Sequence, residues 1–246
     1  RQECKKDWSK YLIHCAAITN IDYCENNRED CFKINSSLPI NLSIICNKLK
    51  IKFIFISSDQ IYSGNQNIYN EDDETCPINN YGKSKVMAEN FIKKELTTFL
   101  IVRCNFFGWG PSYSPSYSDR IIDSKNKLQL LQDVSFNPIY VGELVEFIFK
   151  LLESSQNGIF NISSDEIYTK YNLGLYMCDF FAINKLKIQP FLLSQIKSKA
   201  TRPKSMALDN TKLKKTLKIN SISILRSLNE LKNFSEISLI KKIKII

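Results

Sequence analysis

Three side chains in this sequence could together protonate a reducible carbonyl group. Tyr81 and Lys85 are four residues apart, so on a helix both would project from the same face. Ser58 ends an apolar, strand-like segment earlier in the chain, and its hydroxyl could meet the other two groups. A cation beside a phenol lowers the pKa of the phenol, and a neighbouring hydroxyl can hold the carbonyl oxygen. The pattern predicts a proton-donating site, in which we expect Lys85 to lower the pKa of Tyr81.

The segments that would position these residues alternate between strand and helix. Apolar stretches predict buried strands over 11–17, 53–57 and 98–103, and the second is apolar on both faces, as parallel sheets require. A helix is predicted over 26–49, with an apolar stripe and a kink or second start at Pro39. A further helix carries Tyr81 and Lys85 as far as residue 96. This order predicts an α/β fold built on a doubly wound parallel sheet.

The sequence changes character after Phe107. Residues 108–117 are rich in turn-forming and aromatic side chains, which indicates the wall of a pocket. An amphipathic helix over 143–152 and a short strand over 158–162 add one more strand–helix unit. The remainder, from Tyr168, is predicted to form a smaller helical lobe that ends in a weakly patterned tail. The acidic run over 71–74 is expected to be solvated rather than to bind a divalent ion.

Composition excludes several classes of protein. With 246 residues, of which 43% are hydrophobic, the chain can bury a sizeable core. It contains no run of about eighteen apolar residues, and its first residues lack the apolar core of a signal peptide. The net charge of +9 is concentrated in the final third, but no known nucleic-acid-binding motif accompanies it. We therefore expect neither nucleic acid nor membrane as a partner, although a positive field would attract an anionic ligand.

The eight cysteines do not form a metal-binding pattern. No Cys-x-x-Cys pair occurs, and the single histidine, His14, lies within an apolar segment. Cys15, Cys46 and Cys104 have apolar neighbours in sequence, as small buried thiols do. We predict reduced thiols in a cytoplasmic protein, no metal site, and a histidine that belongs to the core rather than acting as a base.

Five segments together match one known family in order. They are His14-Cys15-Ala16-Ala17, 54–58, 81–85, 103–108, and Arg202-Pro203 followed by Leu208-Asp209-Asn210. Over about residues 7–220 the chain resembles the extended short-chain dehydrogenase/reductases that act on nucleotide sugars. Within that group it is most similar to the dTDP-4-dehydrorhamnose reductase branch.

The resemblance implies a fold and an activity. It implies a Rossmann-like sheet with a smaller C-terminal lobe, in a homodimer that binds a nucleotide-linked sugar. The activity would be hydride transfer from NADPH or NADH to a 4-keto-6-deoxysugar nucleotide, in deoxysugar and surface polysaccharide biosynthesis. An epimerase or dehydratase is the alternative within the family. A 4,6-dehydratase would place an Asp-Glu pair beside the catalytic hydroxyl, whereas Asp59-Gln60 follows Ser58 here.

The resemblance also assigns roles to individual residues. Tyr81 would be the proton donor, Lys85 would hold the nicotinamide ribose, and Ser58 would bind the carbonyl oxygen. The cofactor would also lie against Cys15, Ala16, Ala17, Ser57 and Cys104. The substrate would contact Asp59, Asn105 and Phe106, with Tyr62 as a further lining residue and Arg202 on its diphosphate, because guanidinium matches phosphate oxygens.

One feature of that family is not found in these residues. Its members open with a strand and a Gly-x-x-Gly-x-x-Gly turn that admits the cofactor pyrophosphate. The present chain has seven glycines, none before Gly64, and matches the family from its fourth strand onward. The resemblance thus divides the chain into a partial dinucleotide-binding domain over 1–107, a substrate-binding lobe over 108–233 and a tail over 234–246. It also leaves open a catalytically inactive binding or regulatory homologue, and predicts an exposed sheet edge with poor solubility.

Overall fold

A computed structural model of the protein describes residues 10–110, 115–122 and 127–236. The strands are β1 (Tyr11–His14), β2 (Lys52–Ile56), β3 (Phe99–Cys104), β4 (Phe106–Phe107), β5 (Leu128–Leu131), β6 (Ser135–Phe136), β7 (Ile139–Tyr140), β8 (Gly158–Ile162), β9 (Tyr168–Thr169) and β10 (Ile188–Phe191). The helices are α1 (Ile21–Asn26), α2 (Arg28–Phe32), α3 (Leu38–Lys48), α4 (Asn80–Glu95), α5 (Tyr117–Ile122), α6 (Val141–Glu153), α7 (Lys170–Phe180), α8 (Thr211–Leu217) and α9 (Ile224–Glu236).

The centre of the fold is a four-stranded parallel sheet in the order β1-β2-β3-β8. Phe53, Ile54 and Phe55 are fully buried because helices cover both faces of β2. On one face Phe53 and Phe55 pack with Ile92 of α4, and on the other Ile54 packs with Phe147 of α6. The predicted α/β fold with a doubly wound parallel sheet is confirmed, as is the inward face of α6.

The segment predicted as one helix over 26–49 is divided. Asn27 is not helical (φ −125°, ψ 61°), so it separates α1 from α2, and a π-helical turn over Lys33–Ser37 precedes α3. Pro39 lies in the first turn of α3, directly after that π-helical turn. The helical backbone continues through Ser37 and Leu38, so the break in the predicted helix falls at Asn27 and not at the proline. The predicted apolar stripe does not pack inward, since Leu38, Ile45 and Leu49 are exposed while Cys46 is buried.

The second lobe is built around a separate apolar cluster that includes Leu130, Phe136, Leu173, Met177 and Leu228. The prediction of a helical lobe from Tyr168 onward is only partly right. The lobe also contains strands, since β9 pairs with β6 and β10 pairs with β5. These strands of two and four residues are too short for a periodic pattern to reveal. The division at residue 107 stays a prediction. The tail predicted over 234–246 begins inside α9, which ends at Glu236, and its remaining residues lie outside the described ranges.

Several predictions about composition can be compared with the described residues. Their seven cysteines are free thiols, although Cys15 is exposed rather than buried. His14 is buried between the rings of Phe53 and Phe55, as expected of a core residue. In the described ranges no helix has the length and hydropathy needed to cross a membrane, and no group of three potential ligands could hold a metal. Glu71 is not merely solvated, because its carboxylate accepts a hydrogen bond from the Asn161 backbone.

Strand β1 lies at the edge of the described sheet. Tyr11 and Ile13 on that strand are exposed, as are Ile45 and Leu49 on α3. The predicted exposed edge is therefore present among the described residues. The poor solubility expected from that edge stays a prediction.

A buried ion pair fixes α4 against β3. The Arg103 guanidinium donates to the Glu89 carboxylate at 2.8 Å, and both side chains are almost completely buried. The same guanidinium donates to the Tyr62 hydroxyl at 2.7 Å and to the Glu71 carbonyl at 3.0 Å. Burial of a charge is tolerated only when its partners are in place. This one side chain therefore joins the sheet, α4 and the loop after Tyr62.

Replacing Glu89 with glutamine should lower the free energy of unfolding by about 3–5 kcal/mol, because Arg103 would remain buried without a counter-charge. The matched control is Glu95→Gln on the same helix, where the pair with Lys94 is exposed and the expected change is below about 1 kcal/mol. Urea unfolding of the two variants and the wild type measures the difference. Equal losses in both variants would contradict this account of the buried pair.

Candidate active site

A cleft of about 260 Å³ lies at the carboxyl end of the parallel strands. Open α/β sheets bind their ligands at this edge. The cleft is lined by residues that follow β2 and β3, by the first turn of α4, and by side chains from the second lobe. They are Thr19, Ile21, Ser57, Ser58, Asp59, Gln60, Tyr81, Cys104, Asn105, Phe106 and Lys170.

The start of α4 is held very close to the segment that follows β2. Asn79 caps the helix by accepting a hydrogen bond from the Gly82 backbone at 2.8 Å. A Cβ atom on Gly82 would lie 2.2 Å from the Gln60 carbonyl oxygen, so only glycine permits this approach. As a result Tyr81 and Ser58 line the same cleft, and the Ser58 hydroxyl opposes the rise in the pKa of the Tyr81 phenol. The structure thus brings together the phenol and the alcohol of the predicted site.

Lys85 takes a different position from the one predicted. Its ammonium group donates to the Ile56 carbonyl oxygen at 2.9 Å and lies 4.7 Å from the centre of the Phe55 ring. Burial lowers the pKa of Lys85 to about 8, against the opposing effect of nearby Cys104 and Glu89. Burial also raises the pKa of Tyr81, and the Ser58 hydrogen bond only partly offsets that increase. The predicted lowering of the Tyr81 pKa is therefore wrong, because the cation is directed at the end of β2.

Asp59 is the buried acid of the cleft. It accepts hydrogen bonds from the Ser58 hydroxyl at 3.1 Å and from the Asn105 amide at 2.6 Å. Burial raises the pKa of Asp59 to about 6, while the Asn105 hydrogen bond and the charge of Lys170 limit the increase. Phe106 is half exposed at the same cleft. Three residues predicted to contact the substrate, Asp59, Asn105 and Phe106, thus lie together beside Tyr81.

The residues predicted to hold the cofactor lie along the same edge of the sheet. Cys15 and Ala16 are exposed after β1, Ala17 is half-buried, and Cys104 is buried at the end of β3. The Ser57 hydroxyl and the His14 Nε2 are buried without a hydrogen-bond partner. Unpaired polar atoms beside Lys85, at an open sheet edge, fit a polar group such as a nicotinamide ribose.

Arg202 lies outside this cleft. It donates to Asp22 of α1 at 2.5 Å and to the Ser198 hydroxyl at 2.6 Å. It lines a second cavity of about 690 Å³, whose charged residues also include Arg120, Lys127 and Lys170. Tyr117 and Phe191 supply aromatic walls to this cavity. Because Lys170 lines both spaces, the cavity adjoins the cleft.

Lys170 and Arg120 were not identified from the sequence. Lys170 begins α7 after the capping residue Thr169, and the β6–β9 pair brings that helix start to the cleft. The sequence signal for a helix start is present at Thr169, but nothing in the sequence indicates that the pairing of two-residue strands directs it toward Asp59. Burial lowers the pKa of Lys170, the charge of Asp59 opposes that decrease, and the positive charges of Arg202 and Arg120 add to it.

Comparisons with known proteins identify two groups of relatives. The chain is 27% identical over 205 residues to the probable low-salt glycan biosynthesis reductase Agl14 of Haloferax volcanii, covering 80% of this chain and 68% of that protein. It is also 26% identical over 212 residues to methionine adenosyltransferase 2 subunit beta of Rattus norvegicus, covering 82% of this chain and 63% of that protein.

The fold is shared with a dTDP-4-dehydrorhamnose reductase from Bacillus anthracis that was solved in complex with NADP. The TM-score is 0.82 at 24% identity, covering 90% of this chain and 79% of that one, which confirms the Rossmann-like fold. The family model described as RmlD substrate binding domain matches residues 2–233. The chain therefore belongs to the RmlD substrate binding domain family, within the extended short-chain dehydrogenase/reductases.

Proposed function

We propose that this protein is a nucleotide-sugar reductase, which transfers a hydride from NADPH or NADH to the carbonyl of a 4-keto-6-deoxysugar nucleotide. The observation that carries the proposal is that Tyr81 and Ser58 line one cleft, which adjoins a cationic cavity. The glycan biosynthesis reductase of Haloferax volcanii and the NADP-bound dehydrorhamnose reductase support both the reaction and the cofactor. The product would enter deoxysugar and surface polysaccharide biosynthesis.

The cleft residues can perform the proton chemistry of this reaction. When bound, the dihydronicotinamide supplies the hydride, and Lys85, Ser57, Cys104 and the stretch Cys15-Ala16-Ala17 would hold the cofactor. Ser58 holds the carbonyl oxygen through a hydrogen bond, and Tyr81 gives it a proton as negative charge develops. Burial favours the neutral phenol of Tyr81 and so keeps this proton in place until the oxygen demands it.

The second cavity supports a substrate that carries a diphosphate. Lys170 and Arg120 are placed to neutralise phosphate oxygens, and Arg202 offers a planar guanidinium once it leaves Asp22. Tyr117 and Phe191 provide apolar faces against which a nucleobase can pack. The sugar of such a ligand would then extend past Lys170 toward Tyr81.

Gln60 favours a reductase over a 4,6-dehydratase. It occupies the position after Asp59 and lines the cleft, yet an amide cannot serve as a general acid or base. Its carbonyl oxygen also accepts a hydrogen bond from the Asn79 amide at 3.2 Å, which fixes its orientation. The second carboxylate that a dehydratase would use is replaced by a structural side chain.

A second candidate function is a catalytically inactive binding or regulatory subunit. One observation favours it: the similarity to methionine adenosyltransferase 2 subunit beta of Rattus norvegicus. The two candidates differ in turnover, so an assay of hydride transfer separates them.

Oxidation of NADPH in the presence of a dTDP-linked 4-keto-6-deoxysugar should be lowered roughly 100-fold to 10,000-fold by Tyr81→Phe, because the proton donor is lost. Tyr176→Phe is the matched control, since Tyr176 packs against Tyr168 in the second lobe and should retain full activity. The rate is followed by the absorbance of the reduced cofactor.

The same assay can overturn the reductase proposal. If the chain does not oxidise NADPH, it is tested again with a strand and glycine-rich turn from a relative joined before its first residue. Absence of turnover in both forms would favour the binding subunit.

Lys170→Met should weaken binding of a nucleoside diphosphate such as dTDP about tenfold or more, because a charge-assisted hydrogen bond to phosphate is lost. The matched control is Lys215→Met on α8, an exposed lysine remote from both cavities, which should leave the Kd unchanged. Isothermal titration calorimetry measures the two constants. An unchanged Kd in Lys170→Met would remove this lysine from the proposed phosphate site.

We also propose that the protein is cytoplasmic, since free cysteines in the described residues are consistent with a reducing compartment.

We further propose a homodimer that forms through α3, which exposes Leu38, Ile45 and Leu49. Ile45→Glu should convert a dimer into a monomer in light scattering coupled to size exclusion, because a charge would be buried at the contact. Val145→Glu on the exposed face of α6 is the control; dissociation by both variants, or a monomeric wild type, would contradict the proposed contact.

A further inference from the structure

The Ser58 hydroxyl links the Tyr81 phenol with a buried carboxyl group. Ser58 donates to Oδ1 of Asp59 at 3.1 Å, and its hydroxyl also acts on the Tyr81 phenol in the same cleft, where it opposes the rise in the pKa of Tyr81. The Ser58 and Tyr81 hydroxyls can each donate and accept, and each can turn about its C–O bond. Rotation of these hydroxyls would let a proton pass between Asp59 and Tyr81 by way of Ser58.

Asp59 is held by hydrogen bonds to both of its carboxyl oxygens. Its second carboxyl oxygen accepts the Asn105 amide at 2.6 Å, and only 1% of the residue is exposed. It borders the cleft, so its exchange of protons with water requires water to enter the cleft while no ligand is bound. With a ligand bound, a protonated Asp59 can donate to Ser58, which frees the Ser58 hydrogen for the carbonyl oxygen or for Tyr81.

We propose that Asp59 stores the proton that restores Tyr81 after each reduction, and that the Ser58 hydroxyl delivers it. This proposal rests on the reductase function proposed above. Asp59 would then do more than contact the sugar. Its carboxyl group is protonated while the cleft is empty and releases that proton to Ser58 while substrate is bound.

The proton balance of the cycle is complete. As the carbonyl carbon accepts a hydride from the reduced nicotinamide, the carbonyl oxygen takes the proton of Tyr81 and becomes an alcohol. The Tyr81 phenolate then takes the Ser58 proton, and Ser58 takes the proton of the Asp59 carboxyl group. Asp59 ends as a carboxylate and recovers one proton from water after the product leaves. One proton and one hydride are consumed for each carbonyl reduced.

The charged and titratable groups around Asp59 suit a store that is filled at about pH 6 and below. Tyr81 faces it from α4, Cys104 from β3 and Lys170 from α7. Burial raises the pKa of Asp59 to about 6, while Lys170 and the Asn105 and Ser58 hydrogen bonds prevent a larger increase. A carboxyl group with the usual pKa would be empty at that pH and could not return a proton.

The test compares the pH dependence of kcat in the wild type and in Asp59→Asn. At about pH 6 the variant should have a kcat at least about tenfold lower, because an amide has no acidic proton to transfer. At about pH 8.5 the two values should converge, since the wild-type carboxyl is then ionised as well. Asp72→Asn, at an exposed carboxylate, is the control and should follow the wild type at every pH. The Kd for dTDP and a cooperative unfolding transition establish that each variant is folded.

A second measurement needs no turnover. The side-chain carboxyl carbon of Asp59, observed by NMR in the wild type and assigned by its loss in Asp59→Asn, should titrate with a midpoint near 6. A midpoint near 4 would contradict the proposed role of Asp59 as a proton store, because the carboxyl group would be ionised during catalysis. A kcat ratio that stays constant with pH would overturn it too, and would leave Asp59 as a sugar contact. A wild type that titrates near 6 but never oxidises NADPH would instead refute the reductase function.

Discussion

The approach of the first turn of α4 to the backbone after β2 is the contact on which the site depends. It requires Asn79 to cap the helix, Gly82 to lie against the Gln60 carbonyl, and the Arg103–Glu89 pair to fix the helix farther along. Each of these groups acts at a distance from the reacting atoms. Together they place Tyr81 and Ser58 on the same cleft, where the Ser58 hydroxyl opposes the rise in the pKa of Tyr81.

The charged side chains have different roles according to how deeply they are buried. The guanidinium of Arg103 is fully buried and holds α4 against the sheet. The partly exposed cations of the second lobe instead face the cleft and the second cavity. Lys85 and Asp59 are buried as well. Burial lowers the pKa of Lys85 and raises the pKa of Asp59, so both values move toward neutral pH. Groups with such values can change protonation state at physiological pH, which a solvated lysine or aspartate does not do.

Local patterns in the sequence were sufficient to predict the sheet and the convergence of Tyr81 with Ser58. Apolar strands of a parallel sheet place their carboxyl ends at one edge, so residues that directly follow them, such as Asp59 and Asn105, become neighbours. Other features depend on contacts that no local pattern encodes. The direction of Lys85 depends on an available carbonyl at Ile56, and the location of Lys170 depends on the pairing of β6 with β9. The outward stripe of α3 shows that periodicity identifies an apolar face without saying what covers it.

The bridge between Arg202 and Asp22 has a thermodynamic consequence for any anion that enters the larger cavity. It joins the second lobe to α1, and the guanidinium is already neutralised before a ligand arrives. An incoming phosphate therefore exchanges one anionic partner for another, so the net gain is the difference between two similar interactions rather than the whole of one. Such an exchange lowers the affinity for every anion but increases the specificity of the cavity. A monoanion gains little by replacing the aspartate, whereas a doubly charged group that contacts several cations can displace it.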